Sequence, residues 1–147
     1  MLTESEIEEI KKLREVAKFI RDQEALNKVI WKVYYERPYN ELMNRLFIDK
    51  NNSCGIYKIT SMITGKVYIG QSVNIKERFR QHMKKGCGAE AMTKNKLYPV
   101  MYAEGIENFT YEIIRFCAPT ELNKEERYWI DFYDSCNNGL NATGGNG

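Results

Sequence analysis

The sequence predicts an α+β fold: a three-stranded, mainly antiparallel sheet flanked by helices and preceded by a helical N-terminal segment. Three observations predict it. Apolar residues recur at helical spacing through residues 1–50, two β-type runs follow with a short turn between them, and helix, helix, strand and helix patterns come next. The predicted order after residue 53 is therefore β-β-α-α-β-α, and the chain divides into a helical extension (1–50) and a second domain (53–147).

The N-terminal extension begins with a helix signal. Thr3 and Glu6 have the spacing of a capping box. Pro38 is expected to end the second apolar stretch and to start a third helix. With ten acidic and ten basic residues the extension is neutral. It could serve as a dimerisation hairpin, as an arm that docks a partner, or as a helical cover over the second domain. The apolar positions are Ile7, Ile10, Leu13, Ala17 and Ile20, then Leu26, Val29, Ile30 and Val33, and finally Leu42, Met43 and Leu46.

Residues 49–53 resemble a linker, and a β-hairpin is predicted after it. The runs 55–60 and 66–70 read as strands, and the loop between them is short enough to force an antiparallel pair. Gly65 lies in that loop, where a positive φ is useful.

The remaining elements are predicted from residues that cap helices and from glycines that end them. A helix is expected over about 74–85, capped by Ser72 or Asn74 and ended by Gly86 and Gly88. Next come a helix over about 94–104 that ends at Gly105, a strand over 109–116, and a helix capped by Thr120 that runs to about Tyr133.

Composition excludes several classes of protein. The chain has 147 residues, of which 43% are hydrophobic and 29% charged, so it can bury a core. No apolar run approaches the roughly 18 residues of a membrane helix, and no signal peptide is visible, so we expect an intracellular, cytoplasmic protein without a membrane partner. His82 is the only histidine and the four cysteines are scattered, which favours reduced, mostly buried thiols over a zinc site.

Charge is unevenly distributed although the net charge is only +2. Residues 76–96 contain seven basic and two acidic residues, a local net of +5, whereas residues 104–134 contain three basic and eight acidic residues, a local net of −5. A basic stretch beside an acidic one suits a site where a polyanion meets a metal ion. Two solvated helix faces would give the same pattern.

Glu126 occupies an unusual position. It falls in the middle of an apolar stripe made by Leu122, Trp129, Ile130 and Tyr133. A glutamate is rarely buried without a partner, because the charged form loses its hydration. It could present a carboxylate to a divalent cation in a cleft, or it could pair with a basic side chain.

The hairpin and the helix after it carry the other candidates. Arg78 and His82 are one turn apart and flank an apolar face, where an arginine can contact a phosphate at two points and a histidine could act as a base or pack at the core boundary. Tyr57 and Tyr68 lie directly opposite or diagonal across the hairpin, depending on its register. Paired tyrosines are ordinarily packing residues, but each also carries a hydroxyl.

At these residues the sequence resembles the GIY-YIG nuclease family. Gly55-Ile56-Tyr57 and Tyr68-Ile69-Gly70 match the two signature triplets with ten residues between them. Arg78, His82, Glu126 and Asn141 follow in the family's order, and the match spans about 95 of the 147 residues. Residues 1–50 fall outside it.

The resemblance implies a role for each matching residue. Glu126 would hold one Mg²⁺ or Mn²⁺, and Tyr57 would lie next to the attacking water and remove its proton directly or through a relay. Arg78 would stabilise charge on the phosphate, while Tyr68 and His82 would orient the water or phosphate, with His82 the rival base. Asn141 would position the phosphate or brace the site, Gly55 is a motif glycine, and Gly70 would let the backbone turn closely into the helix. The residues expected to contact DNA are Lys66, Arg78, Arg80, Lys84 and Lys85.

Two functions are compatible with this sequence. The first is a metal-dependent DNA endonuclease, of mobile-element or phage type, that could form a homodimer through residues 1–50. The second is a module on a nuclease-like fold that binds nucleic acid or docks a partner without cutting. A free tyrosine has a pKa near 10, so Tyr57 needs nearby positive charge to act as a base, and Lys58, Lys66, Arg78 and the metal are the candidate sources.

Overall fold

A computed structural model of the chain describes residues 2–17, 30–46, 53–86 and 96–142. The expectations for Ile20, Leu26, Val29, the linker before Ser53, Gly88 and the C-terminal residues 143–147 lie outside these ranges. The elements are α1 (Glu4–Ala17), a π-helical turn (Trp31–Tyr35), α2 (Glu36–Leu46), β1 (Gly55–Ser61), β2 (Val67–Ser72), α3 (Ile75–Gly86), α4 (Leu97–Glu104), β3 (Phe109–Phe116) and α5 (Leu122–Tyr133), with short 3-10 turns at Ile106–Asn108 and Pro119–Glu121.

The three strands form one antiparallel sheet in the order β2-β1-β3. The predicted α+β class, the antiparallel sheet and the β-β-α-α-β-α order are confirmed. The hairpin turn places Gly65 at φ +76°, as predicted for a tight connection. Because β1 is the central strand, most of its side chains are buried.

The sheet is covered on both faces. One face packs in a large cluster with residues of α1 to α4, and the opposite face packs against α5. Alternation along the strands decides the face, so Tyr57 and Ile59 point to the large cluster while Ile56 and Ile69 point toward α5. The helices on both faces of the sheet therefore pack against β1 and β2, the strands that carry the two signature triplets.

The extension begins as the capping box predicts. The backbone N–H of Glu6 donates to Oγ1 of Thr3 at 3.2 Å, and the backbone N–H of Thr3 donates to Oε1 of Glu6 at 3.1 Å. These bonds satisfy donors that the first helical turn leaves open. Helix α1 then runs from Glu4 to Ala17.

The prediction that Pro38 ends a helix is wrong. The backbone is helical from Ile30 through Leu46, and a π-helical turn precedes Pro38. In a regular α-helix the proline ring would clash with the carbonyl four residues earlier and leave it without a donor. The wider turn, in which the Glu36 N–H donates to the Trp31 carbonyl, lets the helix continue.

The described part of the extension packs against the second domain. Its buried side chains belong to the same core cluster as Tyr57 and Phe79. The Tyr35 hydroxyl donates to Oε2 of Glu107 at 3.0 Å, and the Tyr39 hydroxyl donates to the Lys76 carbonyl at 3.1 Å. These contacts match the helical-cover alternative, and a homodimer through residues 1–50 stays a prediction. The buried residues are Ile10, Ile30, Trp31, Tyr35, Tyr39 and Met43.

Smaller differences from the sequence-based expectations concern local signals. Thr120 does not cap the last helix, because it lies inside a 3-10 turn and the helix begins at Leu122. Asn74, rather than Ser72, caps α3, since its Oδ1 accepts from the Glu77 N–H at 3.2 Å. Cys54, Cys117 and Cys136 are half-buried rather than buried. Within the described ranges no helix has the length and apolar character that crossing a membrane requires.

Candidate active site

The register of the hairpin sets the positions of the two tyrosines. Tyr57 pairs with Gly70, and Tyr68 pairs with Ile59, so the phenols are diagonal neighbours rather than directly opposite. Their ring centroids are 6.3 Å apart. Tyr57 has no exposed surface, whereas Tyr68 is only partly buried. Tyr68 is therefore the phenol of the pair that solvent reaches.

The signature glycines make room for neighbouring atoms. A Cβ on Gly70 would lie 2.3 Å from both Cζ and the hydroxyl oxygen of Tyr57. Gly70 lies inside β2 and α3 starts only at Ile75, so this glycine accommodates the phenol rather than a turn into the helix. A Cβ on Gly55 would lie 2.1 Å from the Arg115 carbonyl oxygen, so that glycine lets β3 approach β1.

His82 lies at the centre of the cluster. Its side chain is 0% exposed, and Nε2 lies 2.6 Å from the Tyr57 hydroxyl. Its ring also packs edge-on against Tyr68, at a centroid distance of 5.4 Å. Burial lowers the pKa of His82 well below its ordinary value, and the charges of Arg78 and Lys85 lower it further. The imidazole is therefore neutral at physiological pH.

The Arg78 guanidinium faces the phenols. Its charge opposes the rise in the pKa of Tyr57 and of Tyr68, so the guanidinium lies near both hydroxyls, and its Nη1 donates to Oε1 of Gln81 at 3.0 Å. Burial would lower the pKa of Arg78, but the phenols outweigh burial and raise it. Arg78 is therefore a permanent positive charge held next to two hydroxyl groups.

Neither phenol ionises easily. Burial raises the pKa of Tyr57 well above its ordinary value, and the neighbouring Tyr68 adds to this effect, while Arg78 only partly opposes it. Burial likewise raises the pKa of Tyr68. Of the other candidate sources of positive charge, Lys58 lies on the opposite face of the sheet, 4.8 Å above the Tyr133 ring. Tyr57 is therefore a phenol and not a phenolate at neutral pH.

Glu126 is buried, as its place in the apolar stripe of α5 suggested. Its side chain is 8% exposed and lies between Leu122 and Ile130, which pack against the sheet. Its charge raises the pKa of Tyr68, so the carboxylate lies near that phenol. Among the described residues no three histidine, cysteine or acidic side chains form a cluster, so fewer than three such side chains of these residues would hold a metal here. A hard oxygen ligand of this kind fits Mg²⁺, which keeps several waters.

Asn141 braces the outer edge of β2. Its Oδ1 accepts from the Ile69 N–H at 2.8 Å, and its Nδ2 donates to the Ile69 carbonyl at 2.8 Å. It thus pairs with backbone groups that an edge strand leaves open, and it fixes the strand between Tyr68 and Gly70. Of the two roles implied for Asn141, bracing the site matches this geometry.

Apart from Arg78, the residues expected to contact DNA lie away from the cluster formed by Tyr57, Tyr68 and His82. Arg80 forms an ion pair with Glu77, and Nζ of Lys84 lies 5.4 Å from the Trp31 ring centroid. Lys85 is half-buried at the end of α3. Lys66 is exposed and lines an open pocket of about 540 Å³, together with Lys96, Pro99, Val100 and residues 137–140.

Two residues of the site were not predicted from the sequence. Gln81 orients Arg78, and Tyr98 places its hydroxyl 3.0 Å from Nδ1 of His82. Helical spacing could have shown that Gln81 is three residues from Arg78. No local signal links Tyr98 to a histidine 16 residues earlier, because the contact depends on how α4 packs against α3.

A known family model covers the second domain. A model of the family described as the GIY-YIG catalytic domain matches residues 53–141, which is more than half of the chain. The matched segment contains Tyr57, Tyr68, Arg78, His82 and Glu126, and it ends at Asn141. No curated protein matches the chain.

Two solved structures share the fold. One is the catalytic domain of the homing endonuclease I-TevI, with 24% identity, a TM-score of 0.54 and coverage of 61% of this chain and 98% of that one. The other is a mutant of the catalytic domain of the intron endonuclease I-TevI, with 22% identity, a TM-score of 0.54 and coverage of 61% of this chain and 93% of that one. At these identities the likeness concerns the fold alone.

Gly70→Ala tests the contact between the hairpin strands. The new Cβ would overlap the Tyr57 ring, so we expect a loss of about 1–3 kcal/mol in the free energy of unfolding, measured by urea denaturation. In a Tyr57→Leu background the same substitution should cost less, because the ring is gone. An equal loss of unfolding free energy in both backgrounds would show that Tyr57 is not the side chain that Gly70 accommodates.

His82 should make stability depend on pH. The folded chain keeps the imidazole neutral, while the unfolded chain binds a proton as the pH falls through about 6.5. The contribution of His82 to the free energy of unfolding is therefore at its full value above that pH. It decreases below that pH, by up to about 1.4 kcal/mol per pH unit. Urea unfolding between about pH 7 and pH 5 should show a shallower decline for His82→Gln than for wild type. Equal slopes would mean that His82 is not buried in its neutral form.

Proposed function

The chain belongs to the GIY-YIG family, and we propose that it is a metal-dependent endonuclease that hydrolyses phosphodiester bonds of DNA. The observation that carries the proposal is the 2.6 Å contact between the Tyr57 hydroxyl and Nε2 of His82, with the Arg78 guanidinium beside the same hydroxyl. A proton acceptor and a fixed positive charge thus meet at one point, next to a phenol that lies near a carboxylate. Phosphodiester hydrolysis requires an aligned nucleophile and compensation of negative charge on the phosphoryl oxygens, and these groups can supply both.

The proton of the attacking water leaves through the phenols. Tyr57 is too weak an acid to act as a preformed phenolate, but its proton has an acceptor in the neutral Nε2 of His82. Tyr68 is the diagonal neighbour of Tyr57, at a ring-centroid distance of 6.3 Å, and is the phenol that solvent reaches, so the relay passes a proton from either phenol to the same ring nitrogen. Of the two implied routes, this geometry favours the relay over direct removal by a tyrosinate.

Arg78 compensates the charge that develops on the phosphate. The water oxygen forms a bond to phosphorus, the bond to the leaving oxygen breaks, and that oxygen takes a proton from solvent. Negative charge increases on the non-bridging oxygens during this step. Arg78 is held by Gln81, lies beside the phenols and is only half-buried, so it can stabilise these oxygens without first reorienting.

Glu126 is the residue that would hold the metal. Its carboxylate is a hard ligand near Tyr68, and it is the acidic side chain that the fold brings to the phenols. One Mg²⁺ or Mn²⁺ bound there supplies positive charge to the phosphate and to the leaving oxygen. Waters and phosphate oxygens would complete its coordination shell.

The DNA backbone would continue past the site along basic side chains. Lys66 and Lys96 share one open pocket beside β2, and Lys84 and Lys85 lie at the end of α3. We assign the chain to the mobile-element or phage type, which rests on the fold it shares with a homing endonuclease. Residues 1–50 could add a dimer contact, which would supply a second site for the second strand.

Glu126→Gln should abolish cleavage while the fold persists. The amide has the volume of the carboxylate but not its charge, so nicking of supercoiled plasmid in Mg²⁺ or Mn²⁺ should fall by at least about a hundredfold. Glu125→Gln is the matched control, because that neighbouring carboxylate accepts a hydrogen bond from Arg115 of β3 instead. Circular dichroism checks folding. A Glu126→Gln protein that nicked plasmid as fast as wild type would refute the metal assignment. If the wild-type protein bound DNA without nicking it, the chain would be a binding module and not a nuclease.

Arg78→Lys tests charge compensation. Lysine keeps the charge but loses the planar fork that can contact two oxygens. We expect kcat to fall about a hundredfold with little change in KM, because the interaction is strongest in the transition state. Arg115→Lys, at an exposed arginine that pairs with Glu125, should leave both constants unchanged. A rise in KM alone would indicate that Arg78 binds DNA without acting on the chemical step.

A further inference from the structure

Tyr98 is the second partner of the buried histidine. Its side chain is 6% exposed on α4, its hydroxyl lies 3.0 Å from Nδ1 of His82, and the two rings pack with centroids 5.7 Å apart. The imidazole is thus held between two phenols, with Tyr57 on one nitrogen and Tyr98 on the other. Nothing in the relay proposed above uses Tyr98.

The two distances favour one arrangement of protons. A neutral imidazole carries one N–H donor and one bare acceptor nitrogen. Hydrogen bonds donated by O–H are typically shorter, about 2.7 Å, than those donated by N–H, about 2.9–3.0 Å. The 2.6 Å contact at Nε2 therefore fits the Tyr57 hydroxyl as donor, and the 3.0 Å contact at Nδ1 fits an N–H that donates to Tyr98.

The environment of Tyr57 supports the same arrangement. The Arg78 guanidinium is positively charged, carries only donors, and lies near the Tyr57 hydroxyl. A hydroxyl oxygen that faces a positive charge gives its proton more readily to an acceptor, and Nε2 lies 2.6 Å away. The reverse arrangement would point the Tyr57 proton away from Nε2 and would leave Nε2 unable to take a proton.

We propose that Tyr98 is a positioning residue that fixes the tautomer of His82, by accepting the Nδ1 proton and so keeping Nε2 bare toward Tyr57. The consequence for turnover rests on the proposed nuclease function, whereas the tautomer itself does not. When the Tyr57 proton moves to Nε2, the ring becomes an imidazolium with two N–H groups. Tyr98 already accepts one and the Tyr57 oxygen accepts the other, so both buried donors are satisfied as the charge forms.

The tautomer can be read directly, because His82 is the only histidine of the chain. The full chain labelled with ¹⁵N-histidine gives one pair of ring nitrogens, and long-range proton–nitrogen correlation at neutral pH shows which of them carries the proton. We expect the proton on Nδ1 in the wild type. In Tyr98→Phe we expect a substantial shift of the proton to Nε2. Tyr39→Phe is the control, since it removes a buried tyrosine hydroxyl that donates to the Lys76 carbonyl and not to His82.

Turnover provides the second measurement. Tyr98→Phe should lower kcat roughly tenfold with KM unchanged, the effect of one lost buried hydrogen bond on a transition state, while Tyr39→Phe should leave kcat unchanged. A wild-type proton on Nε2 would overturn the proposal without any variant, even if Tyr98→Phe did not fold. A Tyr98→Phe protein with the wild-type tautomer, or with a shifted tautomer and the wild-type kcat, would also overturn it. A wild type that does not nick DNA refutes the proposed function alone, because the tautomer is measured independently of cleavage.

Discussion

The hydrogen bond between Tyr57 and His82 joins the hairpin to α3, and the rest of the site depends on it. It forms because the register of β1 and β2 puts Gly70 under the Tyr57 ring, which lets the phenol lie flat across the neighbouring strand. Phe79 packs edge-on against the same ring at a centroid distance of 5.0 Å. With the phenol and the helix fixed relative to each other, Arg78 reaches both tyrosines from one turn before His82.

Burial determines the chemistry of this pair. Desolvation raises the pKa of Tyr57 and lowers that of His82, so both groups stay neutral and share one proton between them. The Arg78 charge favours loss of the Tyr57 proton but disfavours its arrival on His82. A buried pair of this kind is suited to moving a proton briefly during a reaction, and poorly suited to storing an ionised base.

Local signals in the sequence predicted the elements they belong to. The Thr3–Glu6 capping box, the Gly65 turn and the bounds of β3 are confirmed because each depends on a few neighbouring residues. Pro38 was misread because a π-helical turn absorbs its missing donor, and Thr120 because a 3-10 turn comes first. The diagonal placement of the tyrosines depends on the register of the hairpin, which residue spacing alone does not determine. The contact between Tyr98 and His82 depends on how α4 packs against α3, which spacing does not determine either.

The extension packs against α3, the helix that carries Arg78 and His82. Tyr39 donates to the Lys76 carbonyl near the start of α3, and the Trp31 ring lies under the Lys84 ammonium near its end. Arg78 and His82 lie between these two contacts. Trp31 and Tyr39 also pack against each other, with ring centroids 5.6 Å apart, and share the core cluster with Tyr57. The extension therefore packs against α3 near both ends from its outer side, while the hairpin packs against it from the sheet, so α3 is buried between two surfaces.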